Sequence, residues 1–402
     1  MTTIKKVPIS NFASNDQLGL IAYSLNNILR VFNTKTSTFI NIDATKQHQE
    51  AIKSIEFSKD GTHLITSSND KTIKVWNTTD LSCINSIDTP KKISSAQLTL
   101  DNKSVVIADK AGDVYIYNLD DTKEKLEKDK KDVEDGEEKN LLLGHFSSIT
   151  DMIFSDCHKY ILTADRDEKV RVSKYPHAFD IESFCLGHTQ FVSKLLIKND
   201  ILLTGSGDGT IKVWKWKDGQ LLQSINMFDK IKNEAPEPAA VLTTIPLYIS
   251  NDRVYVYVEE HSTLFTFKYA NNVIDESSFS SIQLESSPLA VQAVDSGNVL
   301  LVSLWATTDT TPLVVAIDTA KSVVIPDHSL AKTLNEKTEV PALGDKELKE
   351  LFDTTLQSQF KKYSGLSERK KIHMENKNKD DQPEAPLKLR KMTTEGAAEV
   401  SK

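Results

Sequence analysis

Two stretches of the chain match one another at the positions that define a β-hairpin. DGTHLITSSNDKTIKVW runs from Asp60 to Trp76, and NDILLTGSGDGTIKVW runs from Asn199 to Trp214. Each holds an apolar strand-like run, an Asp-containing turn and a second such run, as two antiparallel strands joined by a tight turn require. A Thr lies four residues before the turn Asp and a Trp six after it in both copies: Thr66, Asp70, Trp76 and Thr204, Asp208, Trp214. Equal spacing implies equal geometry. A unit this small cannot bury its apolar face alone, so copies must stack.

A weaker copy starts at Leu143-Gly144-His145 and continues through Thr163 in TADRDEKVRVS, with Asp167 at the expected turn position and Ser173 where the Trp would stand. Leu186-Gly187-His188 precedes the Asn199 to Trp214 copy in the same manner. The pattern resembles the WD repeat. That resemblance implies a buried hydrogen-bonded chain in which His188 meets Asp208, with Thr204 and the Trp214 indole completing it. Thr66, Asp70 and Trp76 would be the matching set in the first copy, and His145 and Thr163 in the weak one. A buried His and Asp are tolerated only when their polar atoms are paired, so a scaffold role explains these residue types without catalysis.

Positions equivalent to the Trp are Phe32, Trp76, Tyr117, Ser173 and Trp214, separated by 44, 41, 56 and 41 residues. The long interval contains 120–139, where ten acids and six bases accompany only Leu126 and Val133 as aliphatics, too little apolar surface to bury. After Trp214 the signatures decay, yet strand-like runs continue to about residue 318. Candidate units near 10–36, 50–80, 91–120, 141–176, 183–220, 235–270 and 284–320 give seven as the simplest closed count, with six or eight also compatible. The expected fold is all-β: a seven-bladed WD-repeat β-propeller over 1–325 with a charged insertion, its ring closed by a strand from the first residues. Residues 326–402 form a C-terminal extension. Leu348, Leu351, Phe352, Leu356 and Phe360 lie at helical spacing there, and 361–391 holds ten bases and five acids, a basic disordered tail suited to phosphate contact or nuclear import.

The 402 residues carry 49 Lys plus Arg against 57 Asp plus Glu, a net charge of -8 that excludes a uniform electrostatic grip on nucleic acid. Cys83, Cys157 and Cys185 are an odd number without a C-x-x-C pair, which suggests neither a disulfide framework nor a cysteine zinc site and fits a reducing compartment. No apolar run approaches the roughly 20 residues of a membrane helix, so no membrane partner is expected. Zinc-helix, Walker, G-x-S-x-G and kinase signatures are missing in their required context. Gly205 and Gly207 read as hairpin-turn residues, because no Lys-Ser or Lys-Thr follows them. Neither a catalytic residue, a metal ligand nor a cofactor-binding residue is expected in this chain.

The exception among the hairpins is Ala164 to Ser173, dense in opposite charges, where Arg166, Lys169 and Arg171 are expected to point outward. The segment 159–195, with VIADKAGDVYIY at 106–117, resembles the non-catalytic WD-repeat subunit of the eukaryotic tRNA guanine-N7 methyltransferase complex. The resemblance covers about 10–320. It implies a heterodimer with a catalytic subunit that binds S-adenosylmethionine and methylates N7 of a guanosine in the tRNA variable region, in the nucleus and also in the cytoplasm. It carries the partner contact onto Arg171, with Asp167 as its acidic neighbour and Lys169 and Arg166 beside them. The bare repeat chemistry equally permits a general interaction scaffold in another nuclear or ribosome-assembly complex.

Overall fold

The hairpin repeat has the pairing its spacing demands. Trp76 stands opposite Leu64 and Trp214 opposite Leu202, the second residue of the preceding strand in each case. Phe32 opposite Ile21, Tyr117 opposite Val105 and Ser173 opposite Ile161 repeat that register. Phe267 opposite Val254 and Ile317 opposite Leu300 extend it to two further units that carry no Trp.

The computed structural model describes residues 7–121, 140–231, 243–249, 252–259, 261–305 and 310–338. They form seven four-stranded antiparallel sheets, each a meander of consecutive strands. The blades span 9–40, 52–88, 93–144, 149–186, 192–226, 244–283 and 288–325. First strands of successive blades lie side by side, and the seventh returns to the first, so the structure is a closed seven-bladed propeller. Seven apolar clusters fill the gaps, each drawn from two neighbouring blades. Trp76, for example, is fully buried against Leu29 and Val31 of the preceding blade. Stacking therefore buries what a single blade leaves open, with about 1.5–3 kcal/mol gained per fully buried large apolar side chain.

Three expectations change. The outer strands reach further than the sequence indicates: Cys83–Asp88 closes blade 2, Leu141–Gly144 closes blade 3 and Ile181–Leu186 closes blade 4. The charged stretch 120–139 therefore interrupts blade 3 between its third and fourth strands instead of separating two blades. Its residues 122–139 lie outside the described ones.

No strand is exchanged to close the ring, because all four strands of blade 1 come from 9–40 and all four of blade 7 from 288–325. Side chains join them instead. Ser14 Oγ donates to Ala293 O (3.2 Å), Gln292 Nε2 donates to Ser14 Oγ (2.9 Å), and Ile9, Tyr23 and Phe32 share a core with Val299, Leu301 and Val314.

A helix that the sequence reading missed, Ser329–Lys337, spans this seam. Its Ala331 and Leu334 are buried in the shared core. The outer strand Val323–Ile325 pairs only with Ala316 to Asp318, leaving the start of its neighbour unpaired. The Asn335 amide fills that gap, accepting from the N–H groups of Leu313 (2.8 Å) and Val314 (3.0 Å) and donating to Val314 O (2.8 Å). On the blade 1 side, Thr338 Oγ1 and Tyr23 OH are 2.6 Å apart and Lys337 Nζ donates to Ser37 O (2.9 Å). The apolar stripe from Leu348 to Phe360 and the basic segment 361–391 lie outside the described residues.

Candidate functional site

The repeat residues converge as buried chains. In blade 5, His188 Nδ1 lies 2.9 Å from Asp208 Oδ2 and His188 Nε2 lies 2.7 Å from Thr204 Oγ1, which accepts from Trp214 Nε1 at 2.8 Å. An ionised carboxylate only accepts, so the neutral ring carries its proton on Nδ1, facing Asp208, and His188 Nε2 accepts from the Thr204 hydroxyl, one of whose lone pairs takes the indole N–H. Blade 2 repeats the set as His48, Asp70, Thr66 and Trp76, with separations of 2.9, 2.7 and 3.0 Å. His48 was not identified from the sequence, since Gln47 stands where the other copies have Gly.

His188 and Asp208 are held in one protonation state. Burial pushes His188 below its ordinary pKa, against the opposing pull of Asp208, so the imidazole is neutral at pH 7. For Asp208, burial acts to raise the pKa, but the His188 hydrogen bond and charge, with Thr210 and the Thr189 N–H, outweigh it and keep the carboxyl well below the usual range. Both groups thus bind fewer protons folded than unfolded, and stability must rise with pH. The His188 contribution fades as pH falls through about 6.5, and the carboxylate contribution fades below about 4. Asp208→Ala is expected to cost about 2–4 kcal/mol at pH 7, because the Thr189 and Thr210 N–H groups and His188 Nδ1 lose their acceptor, and to flatten the acid limb. Urea midpoints at pH 7, 5 and 3.5 test this, and an unchanged midpoint at pH 7 would refute it.

Blade 4 departs from the pattern. His145 Nε2 meets Thr163 Oγ1 at 2.7 Å, but its Nδ1 meets Asp165 Oδ2 at 3.0 Å, so the scaffold carboxylate is Asp165 and not Asp167. Asp165 is completely buried and also lies 3.5 Å from Lys169 Nζ. Lys169 is therefore tied to the scaffold instead of being directed only outward. Asp167 is exposed and accepts from Ser147 Oγ at 3.0 Å.

With Ser173 in the Trp position, the space goes to Arg171. Its Nε donates to Ser173 Oγ (2.9 Å), Nη1 to Gly144 O (3.3 Å) and Nη2 to Ala178 O (2.8 Å). Burial lowers its pKa from the ordinary value, yet guanidinium stays charged at neutral pH. The expectation of a freely projecting arginine is thus replaced by a braced, half-buried cation with no carboxylate among those three partners. Arg166 follows the second strand of the same hairpin and is partly buried, its N–H donating to Ser148 O (3.0 Å). Exposed apolar groups stand on the adjoining segments: Phe146, two residues after Gly144, and Leu186, opposite Lys169. Neither apolar residue was singled out in the sequence: Leu186 ends an outer strand whose register only the fold reveals, and Phe146 lies in the connection between two blades.

Of the two glycines expected at the hairpin turn only Gly207 is there, its N–H donating to Phe191 O (3.0 Å); Gly205 lies inside the strand Ile201–Ser206, paired with Lys194 and Ile211. Among the described residues no group of three or more His, Cys, Asp or Glu is arranged to hold a metal ion, and no helix is long and apolar enough to cross a membrane. Cys83, Cys157 and Cys185 are all free thiols.

A family model described as "tRNA methyltransferase TRM82 WD40 domain" matches residues 30–137 and 118–325. A Dictyostelium discoideum relative, the tRNA (guanine-N(7)-)-methyltransferase non-catalytic subunit wdr4, is 36% identical over an alignment of 441 residues covering 100% of this chain and 94% of the relative. The zebrafish (Danio rerio) and human (Homo sapiens) non-catalytic subunits are 37% and 33% identical over 186 and 184 residues, each match covering 45% of this chain and 42% of the relative. The crystal structure of the computationally designed protein Ika8 superposes with a TM-score of 0.54 at 18% identity, covering 81% of this chain and 90% of that one, a likeness of fold alone. By the reach of the family model and by the full-length relative, the chain belongs to the WD-repeat non-catalytic subunits of tRNA (guanine-N7-)-methyltransferase.

Proposed function

We propose that the fourth-blade edge is where this subunit holds its catalytic partner. The chain is the non-catalytic half of a tRNA guanine-N7 methyltransferase and acts as a scaffold for the enzyme. The observation that carries the binding assignment is Arg171, a half-buried cation braced on Gly144 O and Ala178 O, on the hairpin that also bears Arg166, Asp167 and Lys169, with the exposed Phe146 and Leu186 on adjoining segments. A planar guanidinium fixed in this way presents its remaining N–H donors to a carboxylate without the ordering cost of a free side chain. Exposed apolar groups beside a braced charge are the composition expected of an interface core.

The partner would supply S-adenosylmethionine binding and the transfer to N7 of a guanosine in the tRNA variable region, and tRNA would reach this chain through the complex, in the nucleus and in the cytoplasm. The propeller contributes preorganisation: it lowers the entropy the catalytic subunit must lose to present a productive tRNA surface. Purified separately and mixed, the two subunits are expected to form a one-to-one complex and to yield N7-methylguanosine in tRNA far faster than either alone. Full activity of the catalytic subunit without this chain, or stable assembly of this chain only with unrelated proteins, would overturn the reading.

A further inference from the structure

Three lysines, close enough to repel one another, lie at strand ends of blades 2 and 3 on the face that bears the blade 4 hairpin turn. Lys53 sits at the register break between Ile52 and Ser54 that opens the inner strand of blade 2. Lys92 immediately precedes the inner strand of blade 3, and Lys110 immediately follows that blade's second strand, its N–H donating to Lys92 O at 2.9 Å. The same bond recurs one blade on, from Arg166 N–H to Ser148 O at 3.0 Å, so Lys110 and Arg166 occupy equivalent rim positions in successive blades. Among the described residues, the carboxylate paired with this lysine group is Glu50, 2.6 Å from Lys92 Nζ.

We propose that Lys53, Lys92 and Lys110 form a binding surface for the phosphodiester backbone of RNA. The inference rests on the reading of this chain as part of a tRNA-methylating enzyme. Lys53 is half-buried, and burial with repulsion from Lys110 and Lys92 pushes its pKa down to about 8. Burial and Lys92 likewise lower Lys110. Like charges crowded against one another are an unfavourable arrangement that an arriving anion relieves. The lysine cluster spans blades 2 and 3, and Arg166 repeats the Lys110 position in blade 4, an extended set of basic positions that suits a polyanion. Lysine, a compact point charge with rotatable donors, pairs with phosphate oxygens without demanding one base sequence.

The test uses the full chain, alone and in complex with the catalytic subunit, carrying Lys53→Gln, Lys92→Gln and Lys110→Gln together. Because Lys53 is partly buried, the Lys92→Gln, Lys110→Gln pair, with both side chains reaching solvent, serves as the second variant. Affinity for tRNA is measured across a salt series, with polyglutamate and inorganic phosphate as competitors. The triple variant is expected to bind tRNA about 10- to 100-fold more weakly near 0.1 M salt, with the slope of log affinity against log salt shallower by about 2, and the pair by about 1 to 2. Subunit affinity should not change. An unchanged slope in both folded variants overturns the proposal. So does loss of subunit affinity with tRNA binding intact, which would assign the lysines to carboxylates of the partner, or displacement of tRNA by inorganic phosphate at low millimolar concentration, which would indicate a small-anion site. Failure of the wild-type subunits to assemble would sink the reading of function, and the salt series on the chain alone would still decide this one.

Discussion

Arg171→Glu is expected to weaken assembly with the catalytic subunit by about 100-fold or more, equivalent to roughly 3 kcal/mol, while the propeller remains folded. The size of the effect follows from burial. A rim charge in water contributes little, but Arg171 is half-buried and already partly stripped of solvent, so a partner carboxylate meets it in a medium of low effective dielectric. Replacing the cation by an anion removes that attraction and sets two carboxylates against each other. The substitution also frees Gly144 O and Ala178 O, so a stability control is required. Arg171→Lys provides a second comparison: it keeps the charge but cannot span Ser173 Oγ and both carbonyls, and it should fall between wild type and Arg171→Glu. Titration calorimetry on folded, separately purified subunits reads both variants. Wild-type affinity for Arg171→Glu would remove this residue from the interface and leave Asp167, Phe146 and Leu186 to be tested in turn.

Leu334→Asp should destabilise the whole ring by about 3–5 kcal/mol, the cost of losing a buried leucine in a core that cannot collapse and of placing a carboxylate there. Leu334 has no solvent exposure, and it stands in the one apolar cluster that joins the first and last blades. Its helix also positions Asn335 against Leu313 and Val314 and brings Thr338 to Tyr23. Hydrogen exchange should show protection lost first in blades 1 and 7, with blades 3 to 5 retained in mild denaturant. Equal loss around the ring, or no loss, would mean that the helix is not what secures the seam.

The parts legible in the sequence are those where local chemistry repeats. Thr204, Asp208 and Trp214 copy Thr66, Asp70 and Trp76 at the same spacing because each set must make the same hydrogen bonds across the same register. Spacing from Thr misled in blade 4, where it selects Asp167. Counting from His as in blade 5 finds Asp165, since His145 and Asp165 are twenty residues apart, as are His188 and Asp208, whereas blade 2 has 22 between His48 and Asp70. The outer strands were harder to place. Ile181–Leu186 pairs on one side only and has four of its six residues exposed, with Cys185 alone buried, so little apolar patterning marks it. The seam helix was invisible for a related reason: nine residues with only Ala331 and Leu334 buried make a weak stripe, and the stronger one after residue 348 drew attention away from it. The bracing of Arg171 depends on Gly144 and Ala178, whose proximity no local pattern encodes.

A ring whose blades each keep their own four strands has a characteristic order of assembly. Every ladder joins strands that are neighbours in the chain, so each sheet can form as soon as its residues leave the ribosome, through contacts of short sequence separation that fold fast. The closing contacts are of another kind: Ser14 meets Ala293 across 279 residues, and Lys337 meets Ser37 across 300. Joining ends that far apart costs about 5 kcal/mol of chain entropy if the intervening chain is flexible, and much less once stacked blades have made it an arc. Closure therefore follows the synthesis of blade 7, and until 288–325 has been made the chain is an open arc with apolar surface at both ends, the stage at which it is most exposed to aggregation; the helix Ser329–Lys337 then covers the seam.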